Sequence, residues 1–521
     1  MQANLTSKDY KNQVTLAAII IIAVGVFVRV IGFGEIPIGF NQDEAFAAYE
    51  SYSLLNYGVD SAGNPYPTFF VSWGSGMNVL ESYLAIPFMW IFGYSEGVFR
   101  LPQLIFAILS MPAFFIVLKR FFGSKTALFG LGLLAISPWH IMLSRWGLES
   151  NLAPAFMLFG LLFLLKGLEK NGYLLLSALF YGLSLYTYST TWLAVPLIII
   201  IYGIYIIKSN IKIKPIYFIS ALAILFLLAL PHILFLFVNS GVIPEIKTQF
   251  FTIPKMVAMR SDDISFLNIF KGESLINLFK ILFFQRDNTL WNSSGYGMFY
   301  YASLPFFAVG IVKLFGMLAS NLKAKKFSGA YFVLGGFFVF VLVSLSLSNL
   351  NVNKANGMHL FTLTIIAVGI YTAVGWVNCK KIAALIVTMT FAIHFIFFFG
   401  FYFKDGGTEV SKGFAGGIGE SIEYVNDENF KKVAIDRNIY HSFVLYYDKT
   451  SPEVYQDTVK YENYPSEFLR VKSFGKYTFG IEYNKLGDYD AYIFPLDHLY
   501  FFSEKEFDIK SFKGLGVAVK K

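Results

Sequence analysis

Long apolar runs constrain this chain more than any other feature of its sequence. Eleven are long enough to cross a bilayer as helices, at residues 14–34, 98–118, 126–143, 152–168, 173–190, 191–207, 216–238, 299–320, 328–348, 358–377 and 382–402. The first run ends without a small-residue cleavage site, which is typical of a retained span. Hydrophobic residues make up 56% of the 521 residues, more than a water-soluble domain can keep off its surface. The sequence predicts an α-helical polytopic membrane protein with about eleven transmembrane helices.

The basic residues predict the topology. The formal charge is +8, but Lys and Arg occur in short clusters between the apolar runs, so the charge does not indicate nucleic acid binding. A twelfth apolar segment, 77–93, is short and is interrupted by Glu81 and Pro87. If it does not cross, one side receives all of the clusters, Lys8/Lys11, Lys119/Arg120/Lys125, Lys166/Lys170, Lys208/Lys212/Lys214, Lys323/Lys325/Lys326 and Lys380/Lys381. We therefore predict a multi-pass cell-membrane protein with a cytoplasmic N-terminus, in which 77–93 is an interfacial or re-entrant helix.

This topology brings several segments to the external face. They are the loop 35–97, the tip SRWGLESN (144–151), the loop 239–298, the loop NLNVNKANGMH (349–359) and the tail from residue 404. The tail contains the strand-like pieces KKVAID (431–436), YTFGIEY (477–483) and YDAYIF (489–494), with helix-compatible stretches such as 418–426 between them. We predict a membrane domain over 1–403 and a small extracytoplasmic α/β domain over 404–521.

An acid pair, Asp43-Glu44, follows the first span. The stretch after it, AFAAYESYSLLNYG, predicts an amphipathic helix along the membrane interface, with both carboxylates in its first turn. Asp43 acting only as a helix cap is the alternative. Two carboxylates at a membrane surface can serve as a general base, as a cation site, or as both.

Three basic residues are candidates for binding an anion. Arg145 lies four residues before Glu149 in the tip, a spacing that also suits a surface ion pair. Lys354 lies among asparagines in 349–359 and suits a phosphate or hydroxyl groups, or else it is a solvated loop lysine. Arg29, inside the first run, either extends to the interface or pairs with a phosphate.

Other motifs do not indicate a site. Cys379 is the single cysteine, which excludes an intrachain disulfide and a cysteine-based metal cluster. His140, His232 and His359 lack metal-ligand spacing, so we assign them no metal. The segment GFAGGIG (413–419) shares only glycine content with a phosphate-binding loop.

The order of these features resembles the multi-spanning glycosyltransferases of the GT-C class. The features are the first span, the Asp-Glu loop with its helix, the non-crossing helix, FGYSEGVFRLP (92–102) and SPWHIMLSRWGLESN (137–151). The chain is most similar to the protein O-mannosyltransferase and aminoarabinose transferase-like families, over most of 14–360 and especially 30–170. The resemblance implies transfer of a mannose-like hexose or a pentose from a polyprenyl-phosphate carrier to a hydroxyl of a cell-envelope glycan, lipid or protein.

The resemblance also implies roles for individual residues. Asp43 matches the catalytic aspartate and Glu44 its partner, Glu149 matches a second acid, and Arg145 matches the basic residue near it. Lys354 matches a basic residue that meets the lipid phosphate, and Arg29 is a further candidate. The segment SWGSGMNVLES (72–82) departs from the pattern, because relatives have a basic residue and a proline there.

The residues support a mechanism. With Asp43 as general base, attack on the sugar opposite the departing phosphate inverts the anomeric carbon. The mechanism requires no cofactor, although Asp43, Glu44 and Glu149 together would suit Mg²⁺ or Mn²⁺.

Two other classes remain open. A polytopic transporter or lipid flippase would also have many spans, but such proteins tend to show paired halves with broken helices, and no such pairing is visible. A catalytically inactive relative that acts as an assembly scaffold is the other alternative, against which the acid pair argues.

Overall fold

The computed structural model describes residues 7–259, 264–287, 295–324, 326–404, 410–411 and 413–521, with the side chains from residue 9 onward. Parts of the predicted loop 239–298 and of the tail lie outside the described residues, as do Lys325 and the side chain of Lys8. Up to residue 403 the helices are α1 (Ser7–Val30), α2 (Gln42–Tyr57), α3 (Leu80–Phe92), α4 (Glu96–Phe99), α5 (Leu101–Phe122), α6 (Ser124–Ile136), α7 (Pro138–Leu143), α8 (Ala153–Gly167), α9 (Tyr173–Ser184), α10 (Thr190–Lys208), α11 (Pro215–Asn239), α12 (Gly272–Phe279), α13 (Leu304–Lys323), α14 (Gly329–Leu345), α15 (Asn356–Trp376) and α16 (Lys380–Phe403).

The multi-span architecture is confirmed. Within the described residues, eight helical stretches are long and apolar enough to cross a membrane, and they contain α1, α5, α8, α10, α11, α13, α15 and α16. Three predicted runs form shorter helices instead, namely α6, α9 and α14. The run 126–143 breaks at Ser137 because Pro138 lacks a backbone N–H and begins a new helix. The total of eleven spans therefore stays a prediction.

Helix α3 occupies the segment that we predict not to cross. It has 13 residues, and such a helix is about 20 Å long, whereas the hydrocarbon core of a bilayer is about 30 Å thick. This length agrees with a non-crossing segment. The side of the membrane on which each terminus lies stays a prediction.

Helix α2 forms where the sequence predicts it, but it does not lie along the interface. Its residues from Glu44 to Leu54 are all buried, so it has no wide polar face. It packs between α3 and the helix His441–Asp448 of the tail. The predicted interfacial, amphipathic placement is therefore wrong: α2 is an internal element of the head, the name that we give to the segment 35–97 together with the tip 144–151.

The tail folds as an α/β domain around a seven-stranded sheet. The three predicted strands are present as β3 (Val433–Ile435), β6 (Tyr477–Phe479) and β7 (Ala491–Pro495), and the stretch 418–426 is helical over Ile418–Asp427. The remaining strands are β4 (Lys460–Tyr461), β5 (Val471–Phe474), β8 (Phe507–Phe512) and β9 (Leu515–Lys520), while β1 (Ile246–Lys247) and β2 (Thr252–Ile253) pair separately. The sheet order is β4-β5-β6-β3-β7-β9-β8, with β3 parallel to both of its neighbours.

One apolar core joins the head to the tail domain. Side chains of α2 and its flanks, such as Phe40 and Tyr49, share this core with Val433 of the sheet. The backbones meet at Gly39, where φ is +78° and an added Cβ would lie 2.7 Å from the carbonyl carbon of Ala415. Glycine is therefore required at residue 39, and the glycine-rich segment 413–419 serves this close approach.

Candidate active site at the start of α2

Helix α2 begins with a reciprocal cap. Asn41 is the N-cap, and its side chain accepts a hydrogen bond from the backbone N–H of Asp43 at 3.0 Å. The Glu44 carboxylate accepts one from the backbone N–H of Asn41 at 3.3 Å. The interpretation of Asp43 as the helix cap is therefore wrong, because Asn41 and Glu44 perform that role together.

Asp43 is partly exposed and is oriented by an indole. The Nε1–H of Trp73 donates to Oδ1 of Asp43 at 3.1 Å. Trp73 has a left-handed backbone with φ of +53°, which is uncommon for a bulky residue. Its carbonyl accepts from the N–H of Leu469 in the tail domain at 2.8 Å, and the carbonyl of Gly74 accepts from Ala258 at 3.1 Å. Contacts from two distant segments thus hold the indole against Asp43.

The tail domain supplies an aromatic wall beside this indole. The Trp73 ring centroid lies 4.9 Å from that of His441 and 5.5 Å from that of Tyr440. Burial lowers the pKa of His441 to about 3, so its ring is neutral at physiological pH. The indole donor of Asp43 therefore lies against a largely uncharged aromatic wall.

Glu44 has the opposite environment. Its carboxylate is fully buried and accepts two hydrogen bonds from Arg100, at 2.6 Å from Nε and 2.8 Å from Nη2. It also accepts from the backbone N–H of Gly147 at 2.6 Å. Arg100 in turn donates to the carbonyls of Pro37 at 3.0 Å and Gly39 at 2.6 Å. Glu44 therefore joins α2, the start of α5 and the tip through charge-assisted hydrogen bonds.

Sequence reasoning assigned no role to Arg100 or Trp73. A lone arginine at the start of a long apolar run needs a partner, and FGYSEGVFRLP carries that signal. The contact of Trp73 with Asp43 depends on tertiary structure and leaves no pattern in the sequence.

Glu149 connects the tip to α3. Its carboxylate accepts a hydrogen bond from the backbone N–H of Asn78, just before α3. The Asn78 side chain donates to Oγ of Ser189 at 3.3 Å. With the contact of Glu44 to Gly147, this places the tip directly beside the acid-pair loop.

Arg145 does not form the surface ion pair that its spacing suggests. The side chain is fully buried, and the guanidinium donates to the carbonyls of Ile36 at 3.0 Å, Arg29 at 3.0 Å and Gly32 at 2.5 Å. The surface-pair interpretation is wrong, because Arg145 satisfies carbonyls at the C-terminal end of α1. A contact with a carrier phosphate would require it to exchange some of these bonds.

Arg29 does not extend to the interface. It is fully buried and donates to the carbonyls of Gly25 at 2.8 Å, Ala135 at 2.9 Å and Leu134 at 2.9 Å, and it also contacts Nδ1 of His140 at 2.7 Å. The snorkelling interpretation is wrong, because the guanidinium joins α1 to the end of α6. Its contact with a carrier phosphate stays a prediction.

The late loop contacts the tip, as the predicted topology requires. Lys354 is partly buried, and its Nζ donates to the carbonyl of Ser348 at 3.2 Å. Two residues later, Asn356 donates to Oδ1 of Asn151 at 3.1 Å and accepts from Nε1 of Trp139 at 2.8 Å. Loop 349–359 and the tip therefore belong to one polar layer.

The carboxylates do not converge on a metal position. Glu44 is engaged by the Arg100 guanidinium and Glu149 by the backbone N–H of Asn78. Among the residues that the structure describes, no group of three or more His, Cys, Asp or Glu side chains could hold a metal ion. The side chains in place therefore do not fit the three-carboxylate Mg²⁺ or Mn²⁺ site that the sequence suggests.

Comparisons with known proteins identify a similar sequence family and similar folds. Residues 79–235 match the sequence family described as dolichyl-phosphate-mannose-protein mannosyltransferase. The fold matches ArnT from Cupriavidus metallidurans bound to undecaprenyl phosphate with a TM-score of 0.58 and 12% identity, over 96% of this chain and 97% of that chain. The apo structure of the same protein gives 0.54 and 11%, with the same coverage. No curated protein sequence matches the chain.

A third solved structure is also similar. The oligosaccharyltransferase of Archaeoglobus fulgidus tethered to an acceptor peptide has a TM-score of 0.50 at 12% identity, over 85% of this chain and 63% of that chain. The resemblance to GT-C proteins is therefore confirmed for the fold, which is shared along nearly the whole chain, and the family match runs from the start of α3 into α11.

Proposed function

From a chain with the GT-C fold and a mannosyltransferase-family match over 79–235, we propose a membrane glycosyltransferase that uses a polyprenyl-phosphate-linked sugar. The sugar is a mannose-like hexose or a pentose, and the acceptor is a hydroxyl of a glycan, lipid or protein on the external face. The catalytic group is the carboxylate of Asp43, and the sugar is transferred with inversion.

The observation that carries this proposal is the partial exposure of Asp43 together with its fixed orientation. Asp43 is the member of the acid pair that remains partly exposed, and its orientation is fixed by the Trp73 indole at 3.1 Å. A general base needs both properties, since it must reach the acceptor hydroxyl and must already point at it. Glu44, which is buried and fully engaged, acts as a positioning residue that holds the start of α2.

The reaction balances without a cofactor. Asp43 takes the proton of the acceptor hydroxyl while that oxygen forms a bond to the anomeric carbon. The bond between the anomeric carbon and the phosphate oxygen breaks, and the polyprenyl phosphate leaves with its electron pair. A nearby cation stabilises the charge that develops on the phosphate.

Lys354 is the cation that we assign to the carrier phosphate. It lies in the loop that contacts the tip, and an ammonium on a flexible stem can reorient toward a ligand. Arg145 and Arg29 are fully buried and each donates to at least three backbone carbonyls, so we assign them the support of the membrane side of the site.

The test uses purified protein and a panel of polyprenyl-phosphate sugars, with release of free polyprenyl phosphate followed by mass spectrometry. We expect release with one donor class, stimulated by an acceptor and absent in Asp43→Asn. Asp497→Asn, which changes an exposed acid of the tail domain, is the matched control and should retain activity. Donor flux across protein-containing vesicles, without release from any donor, would instead favour the transporter or flippase.

A further inference from the structure

A lateral groove lies in the membrane region, apart from the acid site. It is bounded by α1, α6, α13, α15 and α16 and encloses about 990 Å³. Its walls are mostly apolar, with side chains such as Ile20, Leu128 and Phe395. Ile20 is 55% exposed, as expected for a surface that protein does not cover.

Four lysines also line this groove. Lys125 lies in the first turn of α6, Lys380 and Lys381 begin α16, and Lys313 lies halfway along α13. None of the ion pairs found among the described residues involves any of them, and no carboxylate lines the groove. A lysine within a membrane helix is costly unless an anion or water meets it, so Lys313 needs a partner.

The charged end of the groove lies near a membrane interface. Trp376 ends α15, lines the groove and is 71% exposed, which is typical of the aromatic belt. Helices α6 and α16 begin at this end, so their N-terminal dipoles add to the positive potential. The C-terminal end of α6 leads through α7 into the tip 144–151, which lies beside the loop of Asp43. The charged end of the groove is at the N-terminal end of α6 and therefore faces away from Asp43.

We propose that this groove binds one anionic glycerophospholipid from the leaflet at its lysine end. The acyl chains occupy the apolar walls, and the phosphate lies among Lys125, Lys313, Lys380 and Lys381. Charge complementarity selects an anionic headgroup, because four cations face the groove and no acid does. The site is separate from the one that we assign to the sugar carrier, whose phosphate must lie near Asp43.

Native mass spectrometry of the delipidated full chain tests the headgroup requirement. We expect one phosphatidylglycerol to be retained at concentrations at which phosphatidylcholine with the same acyl chains is lost. Replacing the four groove lysines with Gln should weaken phosphatidylglycerol binding at least tenfold. The control replaces Lys208, Lys212, Lys214 and Lys323 with Gln, which removes the same charge from sites outside the groove and should leave binding unchanged.

A second pair of variants tests the place of the chains without changing charge. Gly132 lines the groove and an added Cβ there meets no atom within 4 Å, so Gly132→Leu fills the groove without a clash. We expect at least a tenfold loss of phosphatidylglycerol binding at an unchanged melting temperature. Gly316→Leu, equally open but outside the groove, should bind normally.

Three results would overturn the proposal. The first is equal retention of phosphatidylglycerol and phosphatidylcholine by the wild type. The second is normal phosphatidylglycerol binding by both the four-lysine variant of the groove and Gly132→Leu. The third is undecaprenyl phosphate displacing phosphatidylglycerol at equal concentration, which would assign the groove to the carrier. None of these measurements uses transferase activity, so they are independent of the proposed function.

Discussion

Asp43 and Glu44 are adjacent in the sequence, yet they lie in opposite environments. Asp43 is partly exposed and receives an indole N–H, whereas Glu44 is fully buried and accepts hydrogen bonds from Arg100 and from two backbone amides. Successive residues of an α-helix point about 100° apart, so one side chain of the pair faces the core and the other faces the edge of the head. Adjacent acids are therefore not equivalent chemical groups.

Because of this difference, substitutions of the two acids should reduce different properties, turnover for Asp43 and folding stability for Glu44. A residue that contacts the acceptor affects turnover without affecting folding, while a buried charge whose partner is removed destabilises the fold itself. Activity and stability must therefore be measured together on each variant of the pair.

The largest expected effect is on turnover by Asp43→Asn. The amide keeps the shape and accepts the Trp73 hydrogen bond, but it cannot take a proton, so we expect kcat to fall by about 10²–10⁴-fold. Release of the polyprenyl phosphate under saturating donor measures this loss, and the melting temperature should remain that of the wild type. Turnover within a few-fold of the wild type would exclude the general-base role.

Glu44→Gln should act on stability instead. It leaves Arg100 buried without its counterion, which costs about 3–5 kcal/mol. Thermal unfolding in detergent should therefore show a large fall in melting temperature. Adding Arg100→Met removes the stranded charge and should recover part of the loss. If Glu44→Gln were as stable as Asp43→Asn, the two acids would not differ as the structure indicates.

The comparison of Arg145 with Lys354 extends the same logic to the cations. Lys354→Gln should raise the carrier concentration for half-maximal rate by roughly tenfold, because one charge-assisted contact is worth about 1.5–3 kcal/mol. Arg145→Gln should chiefly lower the melting temperature, since its side chain holds the end of α1. Unchanged carrier affinity in Lys354→Gln would remove Lys354 from the donor site.

Patterns of hydropathy and charge predict the large-scale features of this molecule. They predict helix in each apolar run, the short length of α3 and the three central strands of the tail sheet. These features could be predicted because they depend on local composition. The hairpin of β8 and β9 was not predicted, although Phe507, Asp508, Ile509 and Lys510 alternate between apolar and polar residues as a half-buried strand does. The burial of Arg29 and Arg145 was also missed, because backbone carbonyls from distant helices are their partners and leave no trace in local sequence.

The candidate site was predicted only in part, because the predicted topology brings segments together but does not give the orientation of single side chains. Shared topology brings the acid-pair loop, the tip and the late loop together, and the contacts from Glu44 to Gly147 and from Asn356 to Asn151 agree with it. Trp73 could not be predicted, because its orientation depends on backbone contacts from residues 258 and 469.

Trp73→Phe tests how much of the activity of Asp43 depends on orientation. The change removes one N–H donor but keeps an aromatic ring beside His441, so we expect kcat to fall about tenfold with little change in stability. Trp90→Phe is the control, because Trp90 is 75% exposed on α3, away from the acid pair. Equal turnover in both variants would mean that the indole does not position the base.

The smallest expected effect is the change in stability of Glu81→Gln, which compares Glu44 with another buried glutamate of the head. Within the described part of the chain, neither oxygen of Glu81 has a hydrogen-bond partner. Burial raises the pKa of Glu81 well above the usual value of 4.5, and the nearby charge of Glu44 adds to the shift. In the folded protein Glu81 therefore keeps its proton to a higher pH than in the unfolded chain, and Glu81→Gln should change stability at pH 4 by about 1 kcal/mol or less.

The sign of the pH dependence follows from this shift. Below the pKa that Glu81 has in the unfolded chain, Glu81 is protonated in both the folded and the unfolded state, so it does not lower the stability of the folded protein. As pH rises above that value, only the unfolded state ionises, so wild-type stability falls until the folded pKa is reached. Glu81→Gln removes this loss, and the melting temperature of the variant should rise relative to the wild type between pH 4 and pH 7. Glu44→Gln should be less stable than the wild type at neutral pH. A constant difference for Glu81→Gln across the range would show that burial does not raise the pKa of Glu81 in the folded protein.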